Sequence, residues 1–378
     1  MERDLSLDAL LRPYGEYSFF ENLEEVGPVF ASANSANSAK SAKSANSEIS
    51  SESCASGGSR FDPAMAWLLA EASMLAYARD EDMVRSAWDC VGCTDLHFFD
   101  ANGAQGYIAI RDDAVILVFR GTEPDDLHDV IADMKFMLVP HEKSGLVHHG
   151  FIQALNAVWD QLEPIFEAAK PRPVWVAGHS LGAALALLAG ERLGGAQAVY
   201  TYGAPRIGSR GFRDQYPCPV YRLVNNNDIV TMIPPPVLYR HVGEEWFIDH
   251  EGRVRREGET TMRQRMESRL LGHWNHAGEV FKLWRQREFL NAIPNSNVTD
   301  HAPVNYVRPL RAAIGRSTFR VDRLLKEASE FTAEERADLA RRLLETNQQS
   351  LEMDAPGLLI DQGEDPSGFA SGETSADA

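Results

Sequence analysis

The 378-residue sequence predicts an α/β architecture, a mostly parallel central sheet with helices on both faces. Three observations lead there. Short apolar, β-favouring runs at residues 115–119, 174–177, 198–202 and 220–224 alternate with segments of helical periodicity. Each run empties into a polar or glycine-bearing loop, the edge at which open α/β sheets bind ligands. One run turns directly into an Ala/Leu-rich helix through Gly178-x-Ser180-x-Gly182.

Residues 1–30 mix Leu, Phe and Tyr with acids and read as an N-terminal arm that can dock on a domain. Residues 31–59 repeat Ala-Asn-Ser and Ala-Lys-Ser triplets and then turn to Ser and Gly. With almost nothing to bury, they are expected to form a flexible linker. The globular part is expected over residues 60–315. Asp62 before Pro63 is a helix N-cap, and Met65, Leu68, Leu69, Met74, Leu75 and Tyr77 give that helix an apolar face. Residues 106–110 and 115–119 flank an Asp112-Asp113 turn and predict a β-hairpin.

An acidic segment follows, with Leu127, Val130, Ile131 and Met134 at helical spacing. His148 to Phe151 then lead into a helix expected to end near Ala169. After the Ala/Leu helix, strands at 198–202 and 220–224 end in Gly203-Ala204-Pro205-Arg206 and Asn225-Asn226-Asn227-Asp228. Residues 255–290 read as charged helix, with Leu270, Leu271, Trp274, Val280, Phe281 and Trp284 as an inward stripe. A Pro294 breaker precedes a loop carrying Asp300-His301. Residues 316–350 predict C-terminal helices, the second opened by the capping box Thr332-x-x-Glu335. Residues 351–378 contain acids but no Lys or Arg and are expected to be a disordered tail.

The net charge of −18 excludes sequence-independent binding to nucleic acid and to anionic membrane surfaces, which needs clustered Lys and Arg. No apolar run reaches membrane-spanning length, and the acidic amino terminus lacks the apolar core of a secretory signal. The expected location is cytoplasmic, with export by a signal-less route as the alternative. Cys90-x-x-Cys93 has no second pair, so no zinc or redox site is expected from it.

In the elbow, a strand turns so sharply into a helix that its serine stands on strained backbone with the hydroxyl exposed. Side chains two residues either side would collide there, which accounts for Gly178 and Gly182. A serine hydroxyl attacks poorly until a base takes its proton and a carboxylate orients that base. Asp228, at the end of a strand, is the favoured acid, and Asp214, ahead of its strand, is the other candidate.

The histidines downstream are His241, His250, His273, His276 and His301. His273 and His276 stand at i, i+3 but have no third ligand in view, so no metal is expected. His301, on a loop near the last core segment, is taken as the base. His179 is expected to point away from substrate and pack. The backbone N–H of Leu181 opens the helix at the elbow and can serve an oxyanion, with Thr122 as the second donor.

Taken together, these motifs resemble class 3 lipases, the fungal-lipase-like family. They are Phe119-Arg120-Gly121-Thr122, Asp133, His148-x-Gly150-Phe151, Gly178-His179-Ser180-Leu181-Gly182, Tyr202-Gly203-Ala204-Pro205-Arg206, Asn227-Asp228 and Asp300-His301, in the family's order over residues 61–315. The resemblance implies an α/β-hydrolase fold and a serine carboxylic-ester hydrolase of lipase type that acts on acylglycerols without a cofactor. It puts the nucleophile on Ser180, the acid on Asp228, the base on His301 and the oxyanion donors on Thr122 and Leu181. A lid falls on residues 123–135, where Leu127, Val130, Ile131 and Met134 would touch a lipid surface. Phospholipase A1, soluble esterase or acyltransferase activity, or an idle binding module of the same fold, are the alternatives.

Overall fold

A computed structural model describes residues 17–21, 61–122, 137–143, 145–261, 263–269 and 300–316. The expected lid, linker, acidic tail, the helices over 320–347 and the apolar stripe beginning at Leu270 lie outside the described residues.

The described elements run α1 (Pro63–Leu75), α2 (Glu81–Asp89), β1 (Asp95–Ala101), β2 (Ala104–Ile110) and β3 (Val115–Phe119). Next come β4 (Leu138–Pro140), β5 (Leu146–His148), α3 (His149–Ala169), β6 (Val174–His179), α4 (Leu181–Leu193) and β7 (Ala198–Tyr202). The last are α5 (Arg210–Asp214), β8 (Val220–Asn225), β9 (Glu244–Ile248), β10 (Val254–Arg256) and α6 (Val304–Arg316).

Eight strands make the central sheet in the order β1-β2-β3-β6-β7-β8-β9-β10. The pairings from β3 through β9 are parallel, and antiparallel strands close both margins. The architecture is that of the α/β-hydrolase fold. β4 and β5 form a separate hairpin.

Side-chain alternation along β3 explains why helices cover both faces. Ile116 and Val118 join a core containing α1 and α6, whereas Val115, Leu117 and Phe119 join one containing α3 and α4. Each fully buried residue of this kind stabilises the fold by roughly 1.5–3 kcal/mol.

Three expectations change. The first helix does not have one apolar face. Every residue of α1 from Ala64 to Leu75 is buried, Glu71 and Ser73 included, because α6 and residues 17–20 cover the side turned away from the sheet. The hairpin over 106–110 and 115–119 is found as β2 and β3, with an additional strand, β1, at its outer edge. Helix does not start at residue 255. Residues 254–256 are the edge strand β10, half-exposed and charged, turned back from β9 through Asp249, which accepts from Arg253 and Arg255. A strand with little to bury carries no apolar signature, so its sequence resembles the charged helix that follows.

Candidate active site

The site begins where β6 meets α4. Ser180 takes φ 58° and ψ −125°, a conformation that L-residues rarely adopt, and α4 starts at the next residue, Leu181. Neighbouring backbone fixes this turn. The Ser180 N–H donates to the Tyr202 carbonyl of β7 at 2.9 Å, and the Ser180 carbonyl accepts from Ala183 at 3.0 Å. Both flanking glycines are sterically required. A Cβ at Gly178 would lie 2.3 Å from the Gly182 oxygen, and one at Gly182 would lie 2.3 Å from the Phe119 oxygen. Over the elbow passes the segment leaving β3, where a Cβ at Gly121 would sit 3.0 Å from that of Ser180. Thr122 follows directly. The first turn of α4 and the exit of β3 thus meet at one corner.

Asp228 and His301 meet beside it. His301 Nδ1 donates to Asp228 Oδ2 at 2.8 Å, with the two residues 4% and 0% exposed. A carboxylate can only accept, so the proton of a neutral ring resides on Nδ1 and Nε2 carries the lone pair. Nε2 is buried and has no hydrogen-bond partner among the described residues. Asp228 also accepts from Tyr306 Oη at 2.5 Å and, through Oδ1, from the Val230 N–H at 2.8 Å. Burial, with Asp228 next to it, pushes the Tyr306 phenol well above its usual value, so it stays a donor.

Gly203 seats the pair. At φ 64° it lies where a Cβ would come within 2.7 Å of Asp228 Oδ2 and 2.8 Å of the His301 ring. The loops that carry acid and base are also tied to each other. Asn225 Nδ2 donates to the Asp300 carbonyl at 2.8 Å, and the Asn227 N–H donates to the Asp300 carboxylate at 3.0 Å.

His179 is buried and packed against its neighbours. Its Nε2 donates to the His301 carbonyl at 2.7 Å, its Nδ1 accepts from Tyr77 Oη at 2.8 Å, and its ring lies 4.5 Å from that of His301. Burial, and secondly the neighbouring His301, hold its pKa well below the usual histidine value.

The structure brings Ser180, Asp228 and His301 to the carboxyl ends of β6, β7 and β8, with Leu181 and Thr122 adjoining. It excludes Asp214, which is paired with Arg210 and Arg213 on the exposed α5. His241 bonds the Thr231 carbonyl, and burial lowers its pKa to about 2. His250 bonds Ser268. His273, His276 and the lid residues Leu127, Val130, Ile131 and Met134 lie outside the described residues.

Sequence reasoning missed Tyr306, Asp300 and Asn225 as parts of the site. Adjacency of Asp300 to His301 and of Asn225 to Asp228 was the only available signal. For Tyr306, five residues past His301, there was none.

Residues 116–238 match the family model described as lipase (class 3). A lipase of Rhizomucor miehei is 32% identical over 195 residues, covering 43% of this chain and 52% of the relative. Toxin TseL of Vibrio cholerae is 30% identical over 195 residues, 39% of this chain and 30% of the toxin. Secreted mono- and diacylglycerol lipase 1 of Fusarium solani is 37% identical over 114 residues, 27% of this chain and 34% of that protein. The chain thus spans about half or less of the length of these relatives. The solved lipase of Rhizopus microsporus var. chinensis aligns with a TM-score of 0.43 and 29% identity over 49% of this chain and 72% of that one. Over residues 116–238 the chain is thus similar to the class 3 lipases.

Proposed function

We propose that the protein is a serine carboxylic-ester hydrolase that acts on lipid esters. Ser180 Oγ attacks the ester carbonyl while His301 Nε2 takes its proton, and Asp228 stabilises the imidazolium through Nδ1. The tetrahedral oxyanion is held by the N–H of Leu181 and by Thr122, and it collapses as His301 returns the proton to the departing alcohol. Water, deprotonated by the same nitrogen, then releases the acid from the acyl-enzyme. The observation that carries this reading is the buried Asp228–His301 pair, whose unpartnered Nε2 accompanies a strained serine at the same sheet edge.

A second observation favours esters of lipids over small soluble ones. The loop after Asp228 exposes Met232, Val237 and Leu238, the last two 77% and 65% accessible, and Met137 is exposed beside the expected lid. Such side chains suit an apolar acyl chain or a lipid surface. Acylglycerol is the preferred substrate under this reading, with phospholipid and soluble ester as the competing classes.

Hydrolysis of p-nitrophenyl esters of increasing chain length, measured below and above their solubility limits, tests both levels. The reading expects Ser180→Ala to be inert and wild-type activity to rise with chain length. Equal rates for the two proteins would overturn it.

A further inference from the structure

We infer that His179 is a positioning residue that sets the spacing between the nucleophile and the base. This rests on the reading of Ser180 and His301 given above. His179 is joined covalently to Ser180, and its Nε2–H holds the main-chain carbonyl of His301 at 2.7 Å. One side chain therefore spans the two residues that must exchange a proton, although they are 121 positions apart in sequence (301 − 180). Asp228 fixes the imidazole of His301 at Nδ1, and His179 fixes the backbone that carries it. With both ends held, the ring can present Nε2 in one direction only.

The chemistry of His179 suits this task. The carbonyl of His301 can only accept, so the His179 proton sits on Nε2. Its Nδ1 is then an acceptor, and the hydroxyl of Tyr77 donates to it at 2.8 Å. Tyr77 follows α1 and is fully buried, which anchors the chain of bonds in the core. Burial keeps His179 neutral. That matters because its ring lies 4.5 Å from the ring of His301, which becomes cationic during turnover. A lysine or arginine donor there would oppose the developing charge, whereas a neutral imidazole supplies the same N–H without a charge. A misplacement of about 1 Å can cost on the order of 10²-fold in rate.

The test compares the full-length wild type with His179→Phe, His179→Gln, Tyr77→Phe and Ser180→Ala on a soluble p-nitrophenyl ester. kcat, KM and melting temperature are measured for each. Because His179 is buried and bonded to Tyr77 and the His301 carbonyl, His179→Phe is expected to lose about 10²-fold in kcat with KM within twofold. The Gln amide restores a neutral donor near the position of Nε2 and is expected to recover at least about tenfold of that loss. Tyr77→Phe removes the donor to Nδ1, leaves the ring free to turn, and is expected to fall at least about threefold in kcat.

A folded His179→Phe protein with wild-type kcat, or a Gln variant no faster than Phe, overturns the inference. Should His179→Phe fail to fold, wild-type kcat in Tyr77→Phe overturns it instead. A wild-type rate no higher than that of Ser180→Ala removes the hydrolase reading and this inference with it, so the two failures are distinguishable.

Discussion

Single hydrogen bonds decide much of this site, and Tyr306 is the clearest case. Its phenol donates to the same Asp228 oxygen that receives His301, and it accepts from the Asn225 N–H at 3.2 Å. Removing a donor to a buried charged group costs about 1.5–3 kcal/mol. Tyr306→Phe is therefore expected to lower kcat by about tenfold or more, with KM nearly unchanged, in steady-state kinetics on a soluble ester. Gly203 allows less latitude. Its φ of 64° disfavours any side chain, and the methyl of Gly203→Ala would displace both the Asp228 carboxylate and the His301 ring. That variant is expected to lose essentially all ester hydrolysis, measurable against Ser180→Ala as the blank.

Among elements, the loops after β8 and before α6 behave as one unit. Asn225 holds the Asp300 and Asn305 carbonyls together, at 2.8 and 3.3 Å. Asn225→Ala would remove both of these buried hydrogen bonds, at about 1–3 kcal/mol. It is expected to lower the melting temperature and kcat together, as calorimetry and a kinetic assay on the same preparation would record.

The legibility of the chain differed by element for a physical reason. β3, β6, β7 and β8 are buried on both faces, so each is written as a largely apolar run, and the elbow is written in two glycines that nothing larger can replace. Ser180 and Asp228 were read from their places at strand ends, and His301 from its loop near the last core segment. β10 left no such trace, because a margin strand keeps polar side chains. Tyr306 was hidden for another reason. Its hydroxyl reaches Asp228 across 78 positions, a relation that no local pattern encodes.

At the scale of the whole molecule, the notable contact is between the far amino terminus and the helix layer. Phe20 is buried against Trp88, and its N–H donates to Glu71 of α1 at 2.5 Å, while Tyr17 Oη donates to the other Glu71 oxygen. Burial pushes the Glu71 carboxyl up to about 7, with Arg311 and the two donors offsetting part of the cost. The ordinary value is 4.5, so the folded state binds the proton more tightly than the unfolded chain does. Stability from this group is full below about pH 4.5 and is lost as pH rises through about 7. Glu71→Gln, which still accepts from Phe20, is expected to match the wild type near pH 5 and exceed it by about 1–3 kcal/mol at pH 8. Denaturant unfolding at the two pH values checks this.

That contact also changes what a cut in the chain would mean. Phe20 and Phe61 are both seated in the domain, on Trp88 and on Trp246, so the serine-rich stretch between them leaves and returns to the same body. A protease nick there would separate no domain. It would instead turn an intramolecular contact into a bimolecular one, with the effective concentration of the tether removed. The nicked protein is expected to melt at a temperature that falls on dilution more steeply than that of the intact chain.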